Sequence, residues 1–233
     1  MSPRAALPPA RYMRRALRRR LAWLAIYALA MGWLEAAVVV YLRTIFYPDG
    51  FGFPLVPLPP AMALIETARE AATVVMILAV AAVAAAGTWE AFLNFAFVFG
   101  VWDLAYYAGL RLALGWPPSL TTPDILFLIP VPWVGPVLAP VIVSVLLIAA
   151  SVALLRVRPA ADAAGPRLRP REWGAAVAGG LLVVLSFTID WKTVVAGGAA
   201  PPYRWWMFGA GAALGGAGFA AAVARFRGIM RRR

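Results

Sequence analysis

The sequence predicts an all-α protein, a polytopic transmembrane helical bundle of six spans with both termini cytoplasmic. Hydrophobic residues fill 63% of the 233 positions and charged residues only 14%, with a mean hydropathy of +0.79. The apolar residues gather into six runs. Roughly 20 helical residues cross a hydrocarbon core about 30 Å thick, so runs of this length read as spans. Finally, the arginines cluster in three regions that an even number of spans places on one side. Most runs are apolar all round, unlike the one-sided stripe of a helix on a water-soluble core.

The first span, Leu21–Leu42, follows a basic segment at residues 1–20, MSPRAALPPARYMRRALRRR. That segment resembles the start of a signal sequence. The apolar run behind it, however, is longer than the roughly 7–15 residues of a signal core and contains Glu35, so it reads as a retained span. The second and third spans, Ala61–Ala86 and Ala91–Leu114, are separated by the short turn Gly87–Glu90 and form an antiparallel hairpin. Trp133–Leu155, Trp173–Ile189 and Trp205–Ala224 complete the set. Trp89, Trp133, Trp173 and Trp205 open or immediately precede four spans, as interfacial tryptophans do. Gly211 and Gly215 form a GxxxG pair in the last span, expected to pack closely on Gly179 and Gly180 of the fifth.

Arginine placement sets the orientation. Seven arginines precede the first span, five lie between spans four and five, and five occupy the C-terminal tail. An excess of basic residues marks the cytoplasmic side. The chain thus divides into a basic segment (1–20), a four-span part (21–155) with a proline-rich outer segment (115–140), a linker (156–171), a two-span hairpin (172–224) and a basic tail (225–233). The net charge of +12 does not point to nucleic acid, because its carriers sit at span ends. The expected partners are the bilayer and its anionic lipids at the cytoplasmic face, with partner membrane subunits or a homo-oligomer as further alternatives.

The chain contains no cysteine and no histidine. Disulfides, thiolate nucleophiles, zinc sites, histidine-ligated haem and Ser-His-Asp triads are therefore not expected. Chemistry has to use carboxylates, arginines, hydroxyls, a bound cofactor or a hard metal ion.

Five ionisable residues fall inside spans, all in the first three: Glu35, Glu66, Arg69, Glu70 and Asp103. A charge at the bilayer centre costs roughly 2.5–3.5 kcal/mol on insertion scales, so such residues face protein or a cavity and often mark function. Glu66, Arg69, Glu70 and Thr73 share one helical face. Helix rise puts Glu66 about 7 Å and Glu70 about 13 Å below the outer boundary, with Glu35 and Asp103 each about 10 Å deep. Four carboxylates therefore meet one embedded cation at a common depth. Inward folding of Arg43 and Arg111 would ease the imbalance. So would protonation of some carboxyls, or a divalent cation held by Glu66, Glu70 and Asp103. Tyr107, beside Tyr106, either extends this polar set or packs as an aromatic. These residues are the candidates for ligand binding or for proton and ion handling. The alternative is that the charges simply lock three helices together.

Residues 115–140 hold seven prolines. Thr122-Pro123-Asp124 has the pattern of a helix start, and Ile125–Ile129 is too short to span. The segment is either re-entrant or, more simply, a hydrophobic loop packed on the outer surface.

Four stretches, LEAAVVVYLR (Leu34–Arg43), ETAREAATVVMI (Glu66–Ile77), GVWDLAYYAGL (Gly100–Leu110) and GWPPSLTTPDILFLIPVPWVGPVLAP (Gly115–Pro140), together resemble a group of uncharacterised bacterial multi-pass integral membrane proteins. The resemblance covers about the first 140 residues. It implies the bacterial cytoplasmic (inner) membrane and carries no activity.

Three functions fit these features. One is a small transporter or permease that binds an ion, small polar ligand or lipid headgroup in an outer-half pocket of spans one to three. The second is a membrane enzyme acting on a lipid or polyprenyl-type substrate at the outer leaflet, with Glu66 or Glu70 as base or metal ligand, Asp103 as its partner and Arg69 or Arg43 as anion clamp. The third is an accessory subunit of a larger membrane complex.

Overall fold

The computed structural model describes residues 10–156 and 168–231. Six long helices form the bundle: α1 (Ala10–Phe46), α2 (Pro60–Val83), α3 (Thr88–Leu114), α4 (Leu138–Arg156), α5 (Pro170–Thr188) and, after the one-turn α6 (Trp191–Val195), α7 (Trp205–Arg231). Five of the six are long and apolar enough to cross a membrane. The exception is α2, which carries Glu66, Arg69 and Glu70. Most of the expected linker and the outermost basic residues lie outside the described residues.

Three departures from expectation stand out. Helix α1 begins at Ala10, well before the apolar run, so its 37 residues reach about 55 Å and exceed the hydrocarbon core. Its first turns are arginine-rich and exposed, a basic rod continuing the span. The second departure is that Thr122 starts no helix. Pro123–Phe127 is a strand, β1, paired antiparallel with β2 (Trp133–Pro136), and α4 begins only at Leu138 instead of Trp133. The apolar, partly β-branched run Ile125–Phe127 suits a strand, and Pro123 at its first position withdraws no ladder donor. Its partner lies within the same proline-rich segment, so pairing outcompetes the local helix-start pattern. The register matches Asp124 with Gly135 and Ile125 with Val134, with a bulge before Phe127 opposite Trp133. Finally, the hairpin is no loop resting on the outer surface. Asp124 is fully buried, and the backbone N–H of Leu128 donates to Glu70 of α2 at 2.8 Å.

Packing resolves the bundle into two ends. At the basic end, Leu17 and Leu21 of α1, Leu93 of α3, Leu154 and Leu155 of α4, Leu168 just before α5, and Ala222 and Phe226 of α7 form one apolar cluster. The starts of α1, α3 and α5 thus meet the ends of α4 and α7, an alternating up-and-down arrangement. At the opposite end, Ala36, Tyr107, Leu110, Trp116 and Val137 pack together, beside Ala139, Phe187 and Phe208. A central layer of Leu24, Ala28, Met31, Ile77, Phe97, Val98 and Trp102 lies between them.

Close helix crossings are made by glycine. A Cβ on Gly179 would sit 2.6 Å from the Gly211 carbonyl oxygen and the Gly215 nitrogen, so the expected contact between α5 and α7 is present. The crossing of α1 and α3 uses the same device from both sides. A Cβ on Gly32 would lie 2.6 Å from the Trp102 carbonyl oxygen, and one on Gly109 would lie 2.7 Å from the Ala36 Cβ. Small residues let backbones approach closely enough for van der Waals packing to hold helices together in lipid. Gly135 plays a third such part: a Cβ there would meet the Phe187 ring at 2.8 Å, so its absence seats the hairpin against α5.

Candidate functional site

Helix α2 packs along α3 but scarcely touches α1. Toward the hairpin end, the resulting gap is a cavity of about 450 Å³ between α1, α2, α3 and the hairpin. The loop after α1 (Tyr47, Phe51 and Leu55–Leu58) and the α6 region (Val194, Val195, Gly197) form its rim, where Val56 and Val195 are exposed. Glu35, Glu66, Arg69, Glu70, Asp103, Arg43 and Tyr107 all line this one space, as do Tyr106 and Asp124. Of the sequence candidates, only Arg111 stands apart. Its side chain turns back to cap the C-terminus of α3, bonding the Gly115 carbonyl and, at 2.9 Å, that of Pro117. Gly115 itself adopts the left-handed conformation (φ 65°) that terminates the helix.

The polar wall is built from three groups. The first bridges the gap between α1 and α2. Arg69 Nε donates to Glu66 Oε2 at 2.9 Å, its Nη1 reaches Glu35, and Thr73 Oγ1 donates to the other Glu35 oxygen at 3.1 Å. The shared face of Glu66, Arg69 and Thr73 is what lets one guanidinium serve carboxylates on two helices. In the second, Asp103 of α3 accepts a bond of 2.8 Å from Ser144 Oγ of α4 through Oδ2, while Glu70 accepts the Leu128 N–H through Oε2.

The third group centres on Asp124. Arg43 Nη2 donates to its Oδ1 at 2.8 Å and Tyr107 Oη to its Oδ2 at 3.2 Å. The Arg43 guanidinium lies between two rings, 3.7 Å from the Trp116 centroid and 4.1 Å from that of Phe51, a cation–π sandwich that fixes its plane. Burial pushes the Asp124 carboxyl up to about 6, against the opposing pull of Arg43. Arg43 thus folds inward as one of the balancing options required, but its partner is a residue the sequence reading passed over. Asp124 is the acidic residue of the segment 115–140. Taken as a helix-start acid, it gave no sign of being buried. Ser144 was equally hidden, as a lone hydroxyl within an apolar run.

With Asp124 included, five carboxylates share the cavity with two arginines. Arg69 and Arg43 are each engaged, whereas Glu70 Oε1 and Asp103 Oδ1 meet no donor among the described residues. Among those residues no group of three or more carboxylates is arranged to hold a metal ion. The divalent-cation alternative at Glu66, Glu70 and Asp103 therefore finds no ready-made cage, because both Glu66 oxygens face Arg69.

No family model matches the sequence, and no curated protein or solved structure is significantly similar to it. The resemblance of the first 140 residues to bacterial multi-pass proteins accordingly supports no family assignment. The architecture defines the class: a polytopic helical membrane protein with buried charged residues and ion pairs.

Proposed function

We propose that this protein is a small transporter or permease whose outer-half cavity binds a small polar ligand or a lipid headgroup. The observation that carries this reading is the convergence of side chains from α1, α2, α3 and the hairpin on one space of about 450 Å³ with an exposed rim. Structural ion pairs need no cavity between them. Charged groups are costly at membrane depth, and carboxylate oxygens left without donors there are readily explained by a ligand that supplies them. In this reading the termini are cytoplasmic, the hairpin end faces outward and the setting is a bacterial inner membrane. The exposed Arg11, Arg14, Arg15 and Arg18 of α1 then lie among anionic headgroups.

A membrane enzyme acting on a lipid at the outer leaflet is the second reading, and one observation favours it. Beneath the cavity, Leu24, Met31, Ile77 and Phe97, with Trp102 at its floor, pack as an apolar plug. An enzyme can work above a permanent plug, whereas a permease has to open it.

Because the chain has no cysteine, single-cysteine labelling is clean. A membrane-impermeant maleimide added outside should modify cysteines at Asp49, Ser119 and Val39, the last inside the cavity, but not one at Gly87. Reaction at Gly87 alone would invert the topology, and silence at Val39 would remove the open cavity. Glu70→Gln and Asp103→Asn should strip co-purifying small molecules, read by mass spectrometry, while leaving expression and melting unchanged. Loss of folded protein instead would make the charges structural.

A further inference from the structure

The cavity is lined by more carboxylates than arginines, and the way its arginines are used narrows what it can hold. Five carboxylates share it with two arginines, and each arginine is already committed to carboxylates of this chain. Arg69 lies between Glu35 and Glu66. Arg43 is bonded to Asp124 and enclosed by the rings of Phe51 and Trp116, so its guanidinium belongs to the wall. Glu70 and Asp103 are held differently. Their partners are uncharged, the Leu128 N–H and the Ser144 hydroxyl, each at 2.8 Å, and neither acid forms an ion pair among the described residues. Two buried acids on the neighbouring helices α2 and α3 thus line one space without a bonded countercharge.

An anion entering here finds no uncommitted arginine and a surplus of carboxylates. The same holds for the phosphate of a zwitterionic lipid headgroup. A bare divalent ion lacks a cage, since no three carboxylates among the described residues are arranged to hold one. An organic cation needs no cage, because carboxylates nearby and aromatic rings in contact both stabilise its charge. Rings are present beside the acids. Trp102 and Tyr106 flank Asp103 on α3 with their planes within 19° of parallel, and the Phe127 ring of the hairpin lies 6.1 Å from that of Trp102. All three line the cavity, and apolar side chains such as Val39, Leu42 and Leu126 supply much of the remaining wall, which favours an apolar body on the ligand. Resting on the cavity reading above, we propose that the ligand is a lipophilic organic cation: an ammonium or phosphonium centre with an apolar body and no anionic group, seated against Glu70, Asp103 and these three rings.

The test measures first the sign of the cavity's field and then its occupant, using the full-length, naturally cysteine-free chain in membrane vesicles that expose the hairpin end. Val39→Cys places a thiol in the cavity, and Ser119→Cys places an exposed reference at the same end. Each is reacted with two methanethiosulfonates of similar size, one bearing a trimethylammonium and the other a sulfonate. A cleft lined by one sign of charge concentrates counter-ions, so the cationic-to-anionic rate ratio at Val39→Cys should exceed that at Ser119→Cys by about tenfold or more. Adding Glu70→Gln or Asp103→Asn should lower the ratio. Tetraphenylphosphonium should slow labelling of Val39→Cys by uncharged N-ethylmaleimide and leave Ser119→Cys unaffected, whereas tetraphenylborate, its anionic counterpart in shape, should protect neither. Both comparisons can be made with Glu70 and Asp103 intact, so the outcome does not depend on either acid variant folding. Equal rate ratios at the two positions, as expected if both acids keep their protons, would overturn this inference and leave the cavity reading standing. Protection by the borate as strong as by the phosphonium, or protection by neither, would likewise overturn it alone. Silence of Val39→Cys toward every reagent would remove both.

Discussion

The two ends of the bundle handle buried charge in opposite ways. At the basic end, the two buried carboxylates among the described residues, Glu90 and Glu172, are matched. Arg20 of α1 pairs with Glu90 of α3, which also accepts the Ala86 N–H at 2.8 Å. Arg225 of α7 bonds both oxygens of Glu172 of α5, at 3.0 and 2.7 Å, and Glu172 also accepts the Arg169 N–H at 2.7 Å. Each acid sits in the first turn of its helix, where the helix dipole favours negative charge. Each pair ties two helix ends together around an apolar cluster, and no cavity is needed to explain it. In the cavity at the hairpin end, five carboxylates divide two arginines around open space, while Asp190 and Arg204 pair with each other beside it. Matched charge fastens helices, whereas surplus charge next to a cavity is the feature on which the proposed ligand site rests.

The largest expected effect comes from breaking the buried Arg43–Asp124 pair at the hairpin end. Arg43→Gln leaves Asp124 buried without its countercharge, which should cost about 3–5 kcal/mol. The melting temperature in detergent should fall sharply and recover substantially in the double variant Arg43→Gln/Asp124→Asn. No recovery would mean that Arg43 stabilises through its rings and not through Asp124.

Next in size is the glycine crossing of α5 and α7. Gly179→Ala drives a Cβ into backbone atoms at 2.6 Å and should destabilise by about 1–3 kcal/mol. Gly180→Ala, with open space around it, should melt like the parent. Equal melting of the two variants would show that this half of the bundle is loosely packed.

The pH dependence of Asp124 sharpens the contrast further. Its folded carboxyl titrates near 6, above the roughly 3.9 of an unfolded aspartate. Between those values the folded state binds more protons, so this group stabilises the fold most at low pH and its contribution is lost as pH rises through about 6. Measured relative to Asp124→Asn, the parent should therefore gain stability as pH falls from about 7 to about 4. A flat difference across that window would place the carboxyl in a wetter environment.

The smallest effect is expected at Arg111. As an exposed cap on carbonyls at the end of α3, its replacement by alanine should cost about 0.3–1 kcal/mol and leave ligand binding unchanged. A marked loss of binding would return it to the cavity.

Amphipathic depth arithmetic was enough to bring Glu35, Glu66, Arg69, Glu70 and Asp103 together, because helix rise and the cost of charge in lipid are both local rules. The GxxxG contact of α7 with α5 was legible for the same reason. The reciprocal crossing of Gly32 and Gly109 was not, since two isolated glycines more than seventy positions apart make no pattern until α1 and α3 are laid side by side. Arg43 and Arg111 looked equivalent, each near the outer end of its span. What separates them is their surroundings: Asp124, Phe51 and Trp116 for Arg43, and the adjacent chain's own carbonyls for Arg111.

Composition and the spacing of apolar and charged residues were sufficient to establish a membrane-embedded helical bundle and to say which spans hold its polar groups. Membrane insertion penalises each misplaced charge on its own, so that information is written residue by residue. The hairpin, the burial of Asp124, and the division of the charges into satisfied and unsatisfied were decided only in three dimensions. Ion pairs such as Arg43 with Asp124 join residues 81 positions apart, and the hairpin, though local in the chain, is told from a helix start only by the helices packed around it.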